Sequence, residues 1–257
     1  MENTFTIKTV QSSAFKILFQ GISKIIDNCI IYITNNGIRI YENIDNNCLL
    51  YLKLCSDNLE MYEISNEFSF KLDLKIFKII CKNITSNSTI ELSKNKYNYL
   101  SFIIDESYIK GTKEKYDINI EIVDKKIPKI DSIEFDNDFS ISSNYFKDII
   151  TNLKKSLGEE VNFFYINKKL LVKCAGKIFN NEYQIDMNKD NDEYQENVIY
   201  WKRNKDKSTI NLSLKYLLYS IYFCNLSRFY DIYYNEDKQF LYKINIASMG
   251  DIRFLIN

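Results

Sequence analysis

Apolar residues recur at helical spacing in four segments of the chain and alternate with polar residues in most of the remainder. Spacings of three and four predict amphipathic helices, and strict alternation predicts strands with one buried face. The predicted helices are 13–27, 74–83, 143–157 and 214–225, and the predicted strands of the first half are 5–10, 49–56, 67–71, 99–104 and 116–122. Few helices among many strands indicate an α+β fold, with helices packed on antiparallel β-sheets.

This pattern occurs twice along the chain. Residues 12–41 and 142–173 both begin with a Ser-Ser pair predicted to cap a helix, and each then continues into a β-hairpin. Residues 70–92 and 210–232 both read as strand, helix and strand. We therefore predict two topologically similar domains with two helices each.

A charged stretch between the two halves holds the single proline of the sequence, Pro128. Proline fixes its own backbone and disfavours helix at the preceding residue, so this stretch is predicted to be an extended connector. The predicted organisation is an N-terminal domain (1–121), an interdomain connector (122–133) and a C-terminal domain (134–257).

Lysines lie on the predicted outward faces of the helices. In helix 74–83 the apolar residues Ile76, Phe77, Ile79 and Ile80 are predicted to face the core. The outward lysines of the four helices are Lys16, then Lys75, Lys78 and Lys82, then Lys147, Lys154 and Lys155, and finally Lys215. Taken helix by helix these are ordinary solvated surfaces. If the four helices of a duplicated unit line one surface, the same lysines would follow a phosphate backbone without reading bases.

The overall composition narrows the possible functions. Lys and Arg number 34, Asp and Glu also number 34, and the formal net charge is zero, so contact with DNA would have to come from local clustering. The chain has no histidine, which removes Ser-His and Cys-His activation and the commonest zinc ligand. Six glycines and one proline leave no glycine-rich phosphate loop. No catalytic residue, metal or cofactor is predicted.

The sequence indicates a protein of the cell interior. Its first residues lack the basic and then apolar pattern of a signal peptide. The six cysteines are scattered without close pairing, which favours reduced thiols. The longest apolar stretch, 212–234, is interrupted by Lys215, Arg228 and Asp231, which argues against a membrane span.

An enzymatic alternative is based on acidic residues. The pairs Asp105-Glu106 and Glu159-Glu160 could serve acid-base chemistry, and the segment 188–197 could bind a metal. That segment lacks the turn glycine of a calcium loop, so a solvated loop is the favoured interpretation.

Several segments, in order along the whole chain, resemble proliferating cell nuclear antigen, the family of trimeric DNA sliding clamps. The similar segments are VQSSAFKILFQGISKIIDNC (10–29), TNNGIRI (34–40), LEMYEI (59–64), KIPKID (126–131) and YKINIASMGDIRFLI (242–256). The closing segment is the most specific of them.

The resemblance implies a DNA clamp fold that assembles head to tail as a homotrimeric ring. The helices would line the hole and encircle duplex DNA, and the ring would be opened by a clamp loader in the nucleus or in a viral replication compartment. Lys16, Lys82 and Lys215 lie where the family has basic hole-lining residues, and Lys75 and Lys78 are added because they share a helix face with Lys82.

The resemblance also implies a front-face apolar groove that binds peptides of DNA polymerase and other replication proteins. Carried over by position, the groove consists of Ile44, Leu50, Ile127, Pro128, Leu255 and Ile256. On this interpretation the apolar face of the terminal strand would be covered by a bound partner, and the alternative is an intramolecular lid or an ordinary core strand.

The family's ring closes by pairing of sheet edges. Strand 116–122 of one subunit would meet segment 176–185 of the next. The residues assigned to this contact are Tyr116, Ile118, Ile120, Lys177, Phe179 and Tyr183.

The sequence departs from the family pattern at several positions. Asp148 and Thr151 replace arginines, Tyr222 replaces a lysine and Asp237 replaces a groove-side proline. A monomeric or open clamp-like factor of viral replication or late transcription is therefore kept as the alternative function.

Overall fold

The computed structural model describes residues 4–94, 97–128, 133–135, 137–166, 169–186, 207–235 and 239–257. The chain forms two compact units. Unit 1 comprises Met1–Ile44, Leu49–Ile130 and Asn245–Ile252, and unit 2 comprises Asp45–Cys48, Asp131–Ile244 and Arg253–Asn257. Each unit thus takes a short segment from the other half of the sequence.

Unit 1 contains most of the first ten strands and three helices. The strands are β1 (Phe5–Thr9), β2 (Asn28–Thr34), β3 (Gly37–Asp45), β4 (Cys48–Cys55), β5 (Met61–Ile64), β6 (Phe68–Asp73), β7 (Thr89–Lys94), β8 (Tyr99–Glu106), β9 (Thr112–Asn119) and β10 (Glu121–Val123). The helices are α1 (Ser12–Ile22), α2 (Leu74–Cys81) and α3 (Ser107–Lys110), with a 3₁₀ turn at Ser56–Asn58. One sheet has the order β5-β1-β7-β8-β9, and the second run of strands is β10-β6-β2-β3-β4.

The β2–β3 hairpin depends on Gly37. Its φ is +119°, and a Cβ atom built there would lie 1.9 Å from the carbonyl oxygen of Leu54. Only glycine accommodates both the backbone angle and this close approach to the neighbouring strand. The segment Asn245–Ile252 of unit 1 lies against the end of β4, where the Cys55 N–H donates to the carbonyl of Met249 at 2.8 Å.

Aromatic rings hold α1 and α2 against the sheet. Phe77 lies 4.9 Å from Phe19 and 5.1 Å from Phe102 of β8, measured between ring centroids. Phe15 joins the same cluster at 6.1 Å from both Phe77 and Phe102. Such edge and tilted contacts add to the stabilisation from burying apolar area.

Unit 2 repeats this plan. Its strands and those that complete the chain are β11 (Asn137–Ser142), β12 (Glu160–Ile166), β13 (Lys169–Ala175), β14 (Asn180–Asp186), β15 (Lys207–Ser213), β16 (Phe229–Tyr234), β17 (Phe240–Ile246) and β18 (Gly250–Ile256). The helices are α4 (Ser143–Lys155) and α5 (Leu214–Leu217), which continues as a 3₁₀ helix over Leu218–Phe223. The strand orders are β14-β13-β12-β15 and β17-β16-β11. The predicted α+β fold of two similar halves is confirmed.

The local capping differs from the prediction at one of the two Ser-Ser pairs. Ser142 accepts a hydrogen bond from the Tyr145 N–H at 3.5 Å and caps α4. In the first half the cap position is Gln11, which makes no side-chain cap, and the Ser12 hydroxyl donates instead to the carbonyl of Thr85 at 2.8 Å. The prediction for Ser12 was therefore wrong, because a tertiary hydrogen bond takes its hydroxyl.

Candidate functional site

Helix α2 and the residue that follows it carry three lysines, of which Lys75 and Lys82 are exposed and Lys78 is half-buried; α2 also exposes two apolar side chains. Asp73 begins the helix by accepting hydrogen bonds from the N–H groups of Lys75 and Ile76. Contrary to the prediction, Ile76 is 48% exposed and Ile79 is 64% exposed. The core contact is a narrow stripe of Leu74, Phe77, Ile80 and Cys81, and the two isoleucines lie beside it.

The end of α2 lies against the lysine of α1. Lys16 Nζ donates to the carbonyl oxygens of Lys82 at 3.1 Å and Ile84 at 2.7 Å. An ammonium group near the C-terminal end of a helix is favourable because the carbonyls there carry partial negative charge. The structure thus places the ammonium group of Lys16 against the main chain at Lys82, directly after α2.

The lysine in the first turn of α2 is tied to a carboxylate. Lys75 Nζ lies 2.7 Å from Asp27 Oδ2, and both side chains are exposed. The hydrogen bond and the charge of Asp27 raise the pKa of Lys75.

Helix α4 carries its lysines mainly at its last turn. Lys154 and Lys155 are exposed, and Lys147 is half-buried. Lys155 donates to Asn152 Oδ1 at 2.8 Å. Asp148 is exposed on the same helix and dilutes the positive charge, as its position in the sequence suggested.

Helix α5 places Lys215 beside Asp45. The Lys215 Nζ to Asp45 Oδ2 distance is 2.9 Å, and the Tyr216 hydroxyl donates to the same carboxylate at 2.8 Å. Partial burial alone would raise the pKa of Asp45, but hydrogen bonds from Lys215, the Asn47 N–H and Tyr216 lower it. The Asp45 hydrogen bond in turn raises the pKa of Lys215.

The remaining helix lysines are not engaged in this way. Among the residues that the structure describes, the ammonium groups of Lys78, Lys82, Lys147 and Lys154 make no hydrogen bond or ion pair. Of these four, Lys82 and Lys154 are exposed and so are the most readily available to an anionic ligand. The structure places the lysines of α1 and α2 in unit 1 and those of α4 and α5 in unit 2.

The residues assigned to the apolar groove differ in exposure. Leu50 and Ile256 are buried, so their assignment to a peptide-contacting surface was wrong. Both lie on the inward face of an alternating strand, β4 or β18. Ile44, Ile127 and Leu255 are half-buried, and Pro128 is exposed.

A cluster of tyrosines on the outward face of β3 and β4 was missed. Tyr41 and Tyr51 stack with ring centroids 4.7 Å apart, and an Arg39 guanidinium nitrogen donates to the Tyr51 hydroxyl at 2.6 Å. Burial, followed by interaction with Tyr51, raises the pKa of Tyr41 to about 12. The alternation around Leu50 contained the signal, because it places Leu49 and Tyr51 opposite to it.

The apolar face of the terminal strand is covered by the chain itself. Ile252, Phe254 and Ile256 are buried. Phe254 stacks on Tyr242 at 4.7 Å and lies 5.7 Å from Phe223. The expectation that a bound partner covers this face was therefore wrong, and β18 is an ordinary core strand.

A cavity of about 690 Å³ opens beside the first part of the connector in unit 1. The Ser69 hydroxyl holds this part of the connector, donating to the carbonyls of Val123 at 2.7 Å and Lys125 at 3.2 Å. The lining includes Tyr32, Phe68 and Ile127. No pattern in the sequence predicted this cavity.

Within the described part of the chain, both strands predicted to meet in the ring lie at sheet edges. β9 pairs with β8, β14 pairs with β13, and each is the last strand in its sheet order. The side chains of Ile118 and Ile120 are buried, so these two residues would contribute to the predicted edge pairing through their backbone groups only. Tyr116 and Tyr183 are half-buried, and Lys177 is exposed and pairs with Glu159 at 3.1 Å.

Exposed apolar side chains lie near the start of β14. Leu157 is 55% exposed, Ile178 is 67% exposed and Phe179 is 45% exposed. Near β9, the Asn83 amide at the end of α2 donates to the Tyr116 hydroxyl at 2.7 Å. This bond connects the β9 edge with the helix that exposes Ile76 and Ile79.

The acidic pairs of the enzymatic alternative have structural roles. Glu106 accepts hydrogen bonds from Thr85, Ser88 and Lys110, which lower its pKa to about 2 with the Lys110 bond first. The Glu160 carboxylate accepts from the Asn211 amide at 2.8 Å. The described residues contain no cluster of three metal-ligating side chains, and segment 188–197 lies outside them.

Two further general features bear on the sequence predictions. The six cysteines are free, and five of them are buried. In the described parts of the chain, every helix is too short or too polar to cross a membrane.

Comparison with known proteins covers the chain from end to end. The model of the proliferating cell nuclear antigen N-terminal domain matches residues 4–128, and that of the C-terminal domain matches residues 129–257. A protein of Paramecium bursaria Chlorella virus 1, named "Probable DNA polymerase sliding clamp 1", is 24% identical over 265 residues, covering 98% of this chain and 95% of that protein. The chain therefore belongs to the proliferating cell nuclear antigen family of DNA sliding clamps.

Proposed function

We propose that three copies of this chain close head to tail into a ring that encircles duplex DNA and tethers DNA polymerase and other replication proteins. The observation that carries this proposal is that, among the described strands, β9 of unit 1 and β14 of unit 2 each lie at the edge of a sheet. Unpaired edges favour association, and two different edges on one chain suit a heterologous contact that closes by rotation.

Side chains beside the two edges support the same contact. Ile76 and Ile79 are exposed on α2, and Leu157, Ile178 and Phe179 are exposed in unit 2. Exposed apolar groups of this size are typical of interaction surfaces when they are grouped. Burying them against one another in the ring would add an apolar contact to the backbone pairing of the strands.

The ring explains how weak DNA contacts can serve processivity. Non-specific binding to duplex DNA has dissociation constants of about 10⁻⁴ to 10⁻⁶ M at physiological salt, which is too weak to retain a polymerase. Once a ring has closed, dissociation requires the opening of a subunit contact. Lysines of the four helices then need only favour the phosphate backbone, and weak contacts permit sliding.

Partner peptides would bind near the connector, which we assign to 122–133 between domains 1–121 and 134–257. The accessible groove residues Ile44, Ile127, Pro128 and Leu255 support this placement, with Tyr51 added from the outward face of β4. We also propose opening by a clamp loader and action in the nucleus or a viral replication compartment. Sliding clamps of this family act without catalysis, as processivity factors.

Threading onto linear DNA tests the ring directly. A duplex is attached to a bead at one end, the purified chain is added, and the free end is then either blocked with streptavidin or left open. Topological retention predicts that the chain stays bound through a high-salt wash when the end is blocked and is lost when it is open. Equal retention on both templates would contradict encirclement, and a concentration-independent monomer by light scattering would favour the open clamp-like factor.

A further inference from the structure

Two of the eight lysines predicted to contact DNA are already paired with a carboxylate from outside their own helix. Lys75 pairs with Asp27 at 2.7 Å, and Lys215 pairs with Asp45 at 2.9 Å. Asp27 lies between α1 and β2, and Asp45 is the last residue of β3. The same arrangement thus occurs once in each unit.

We propose that Asp27 and Asp45 limit the affinity for duplex DNA by occupying Lys75 and Lys215. A phosphate that approaches either lysine must then displace a carboxylate or share the ammonium group with it. This inference rests on the proposed function, because it concerns the strength of the same DNA contact.

Both pairs are placed so that a phosphate can compete for the lysine. Lys75 retains 67% side-chain exposure and Lys215 retains 59%. Exposed ion pairs are weak, so an incoming phosphate can exchange with the carboxylate. The displaced carboxylate stays nearby as a like charge and disfavours the new contact.

The two carboxylates differ in how firmly they are held. Asp45 also accepts hydrogen bonds from the Tyr216 hydroxyl and from the Asn47 N–H, both at 2.9 Å. These bonds keep its charge in place when Lys215 moves away. Asp27 is held through its backbone instead, because its carbonyl oxygen accepts a hydrogen bond from the Leu74 N–H at 2.9 Å. Asp45 should therefore lower the affinity for duplex DNA more than Asp27 does.

The test measures binding of a short open-ended duplex by fluorescence anisotropy over a range of salt concentrations. Asp27→Asn/Asp45→Asn keeps side-chain size and removes two negative charges per copy. We expect an increase in affinity of about twofold to fivefold for each substitution. The dependence of log K on log salt should become steeper by up to about 0.9 for each lysine released to a phosphate.

A matched control separates this effect from net charge. Glu63→Gln/Glu91→Gln makes the same charge change on β5 and β7, away from the helix lysines; Glu91 lies between the buried residues Ile90 and Leu92 and so faces away from the core. An equal gain in affinity from the control and the aspartate variant would overturn the proposal.

A second pair of variants asks whether Asp45 acts through Lys215. The gain from Asp45→Asn should disappear when Lys215→Gln is also present, measured against Lys215→Gln alone. A gain that persists in that background would overturn the assignment. The charge-conserving Asp45→Glu should bind duplex DNA as weakly as the wild type, even if Asp45→Asn perturbs the turn. Stronger binding by Asp45→Glu would also contradict the proposal.

The outcomes distinguish this inference from the proposed function. If the wild-type chain is not retained on end-blocked DNA, the ring proposal fails. If it is retained and the aspartate variant binds duplex no better than the wild type, only the role of the two aspartates fails.

Discussion

Helices α2 and α5 occupy equivalent places in the two repeats but are built differently. α2 is a regular helix of eight residues with an aspartate cap and exposed lysines. α5 makes one α-helical turn, then narrows to a 3₁₀ helix and carries a single lysine. Buried tyrosine hydroxyls hold this second helix, because Tyr242 donates to the carbonyl of Tyr216 at 3.0 Å and Tyr230 to that of Ser220 at 2.8 Å.

This difference shows how one repeat can specialise. Tyrosine hydroxyls satisfy carbonyls that a regular helix would pair internally, so α5 can deviate from α-helical geometry without leaving polar groups unpaired. α2 relies on its own hydrogen bonds and keeps its outward face for charge. We therefore expect the lysines of unit 1 to make more of the DNA contacts than those of unit 2. We also expect unit 2 to owe most of its own stability to its aromatic packing.

The largest expected effect comes from the core contact of α2. Phe77→Ala should lower the free energy of unfolding by about 3–5 kcal/mol, because it leaves a cavity among Phe15, Phe19 and Phe102. Denaturant titration measures it. Leu217→Ala, at a buried position of α5, is the comparison and should cost about 2–5 kcal/mol. A loss below about 1 kcal/mol for Phe77→Ala would contradict the packing of α2.

Charge reversal tests the expected imbalance between the units. Lys75, Lys78 and Lys82 changed together to Glu should reduce the slope of log K against log salt by about 1.8, that is about 0.9 each for Lys78 and Lys82, because Asp27 already holds Lys75. Lys215→Glu should reduce it by much less than about 0.9, because Asp45 already holds Lys215. Duplex binding by anisotropy gives both slopes, and light scattering controls for assembly. Equal losses from the two variants would contradict the dominance of unit 1.

Capping provides a smaller contrast. Asp73→Ala should cost about 1 kcal/mol, because it removes the acceptor for two N–H groups at the start of α2. Ser213→Ala, at the same position of α5, should change stability by less than about 0.5 kcal/mol, since Ser213 makes no side-chain cap. Thermal unfolding of both variants measures the difference. The reverse order would show that capping does not distinguish the two helices.

The loops after these helices should differ in their response to acid. Glu106 holds the loop after α2 through Thr85 and Ser88, whereas the Ser143 hydroxyl holds the loop after the 3₁₀ helix by donating to carbonyls of Cys224 and Ser227. The pKa of Glu106 is lowered from 4.5 to about 2. Its stabilisation is therefore complete above about pH 4.5 and is lost as the pH falls toward 2.

Hydrogen exchange followed between pH 5 and pH 2.5 measures this acid response. Protection in the loop after α2 should fall first, and Glu106→Gln should remove that pH dependence. If the loop after the 3₁₀ helix lost its protection at a higher pH than the loop after α2, the assignment of the acid response to Glu106 would be contradicted.

Much of the fold could be predicted because it depends on periodicity. The alternation in β4 and β18 and the apolar spacing in α1, α2 and α4 are long enough to identify the elements. The predicted ends of these elements were less accurate. α1 stops at Ile22 rather than at residue 27, and α3 was not predicted, because four residues give no helical period.

The candidate site was predicted less well because exposure depends on tertiary packing. Ile76 and Ile79 fit a helical core stripe by spacing, yet the neighbouring aromatic cluster uses only Phe77 and its partners. Leu50 and Ile256 were assigned by alignment to a groove, where an error of one residue turns a side chain to the other face of a strand. Ion pairs such as Lys215 with Asp45 join residues far apart in sequence and left no local signal.

The interleaved composition of the two units affects how the chain folds during synthesis. Unit 1 includes Asn245–Ile252, and its Cys55 N–H is satisfied by Met249. The ribosome must therefore release Asn245–Ile252 before the first-made unit can complete its sheet. We expect the early strands of unit 1 to stay exposed to chaperones until that segment arrives.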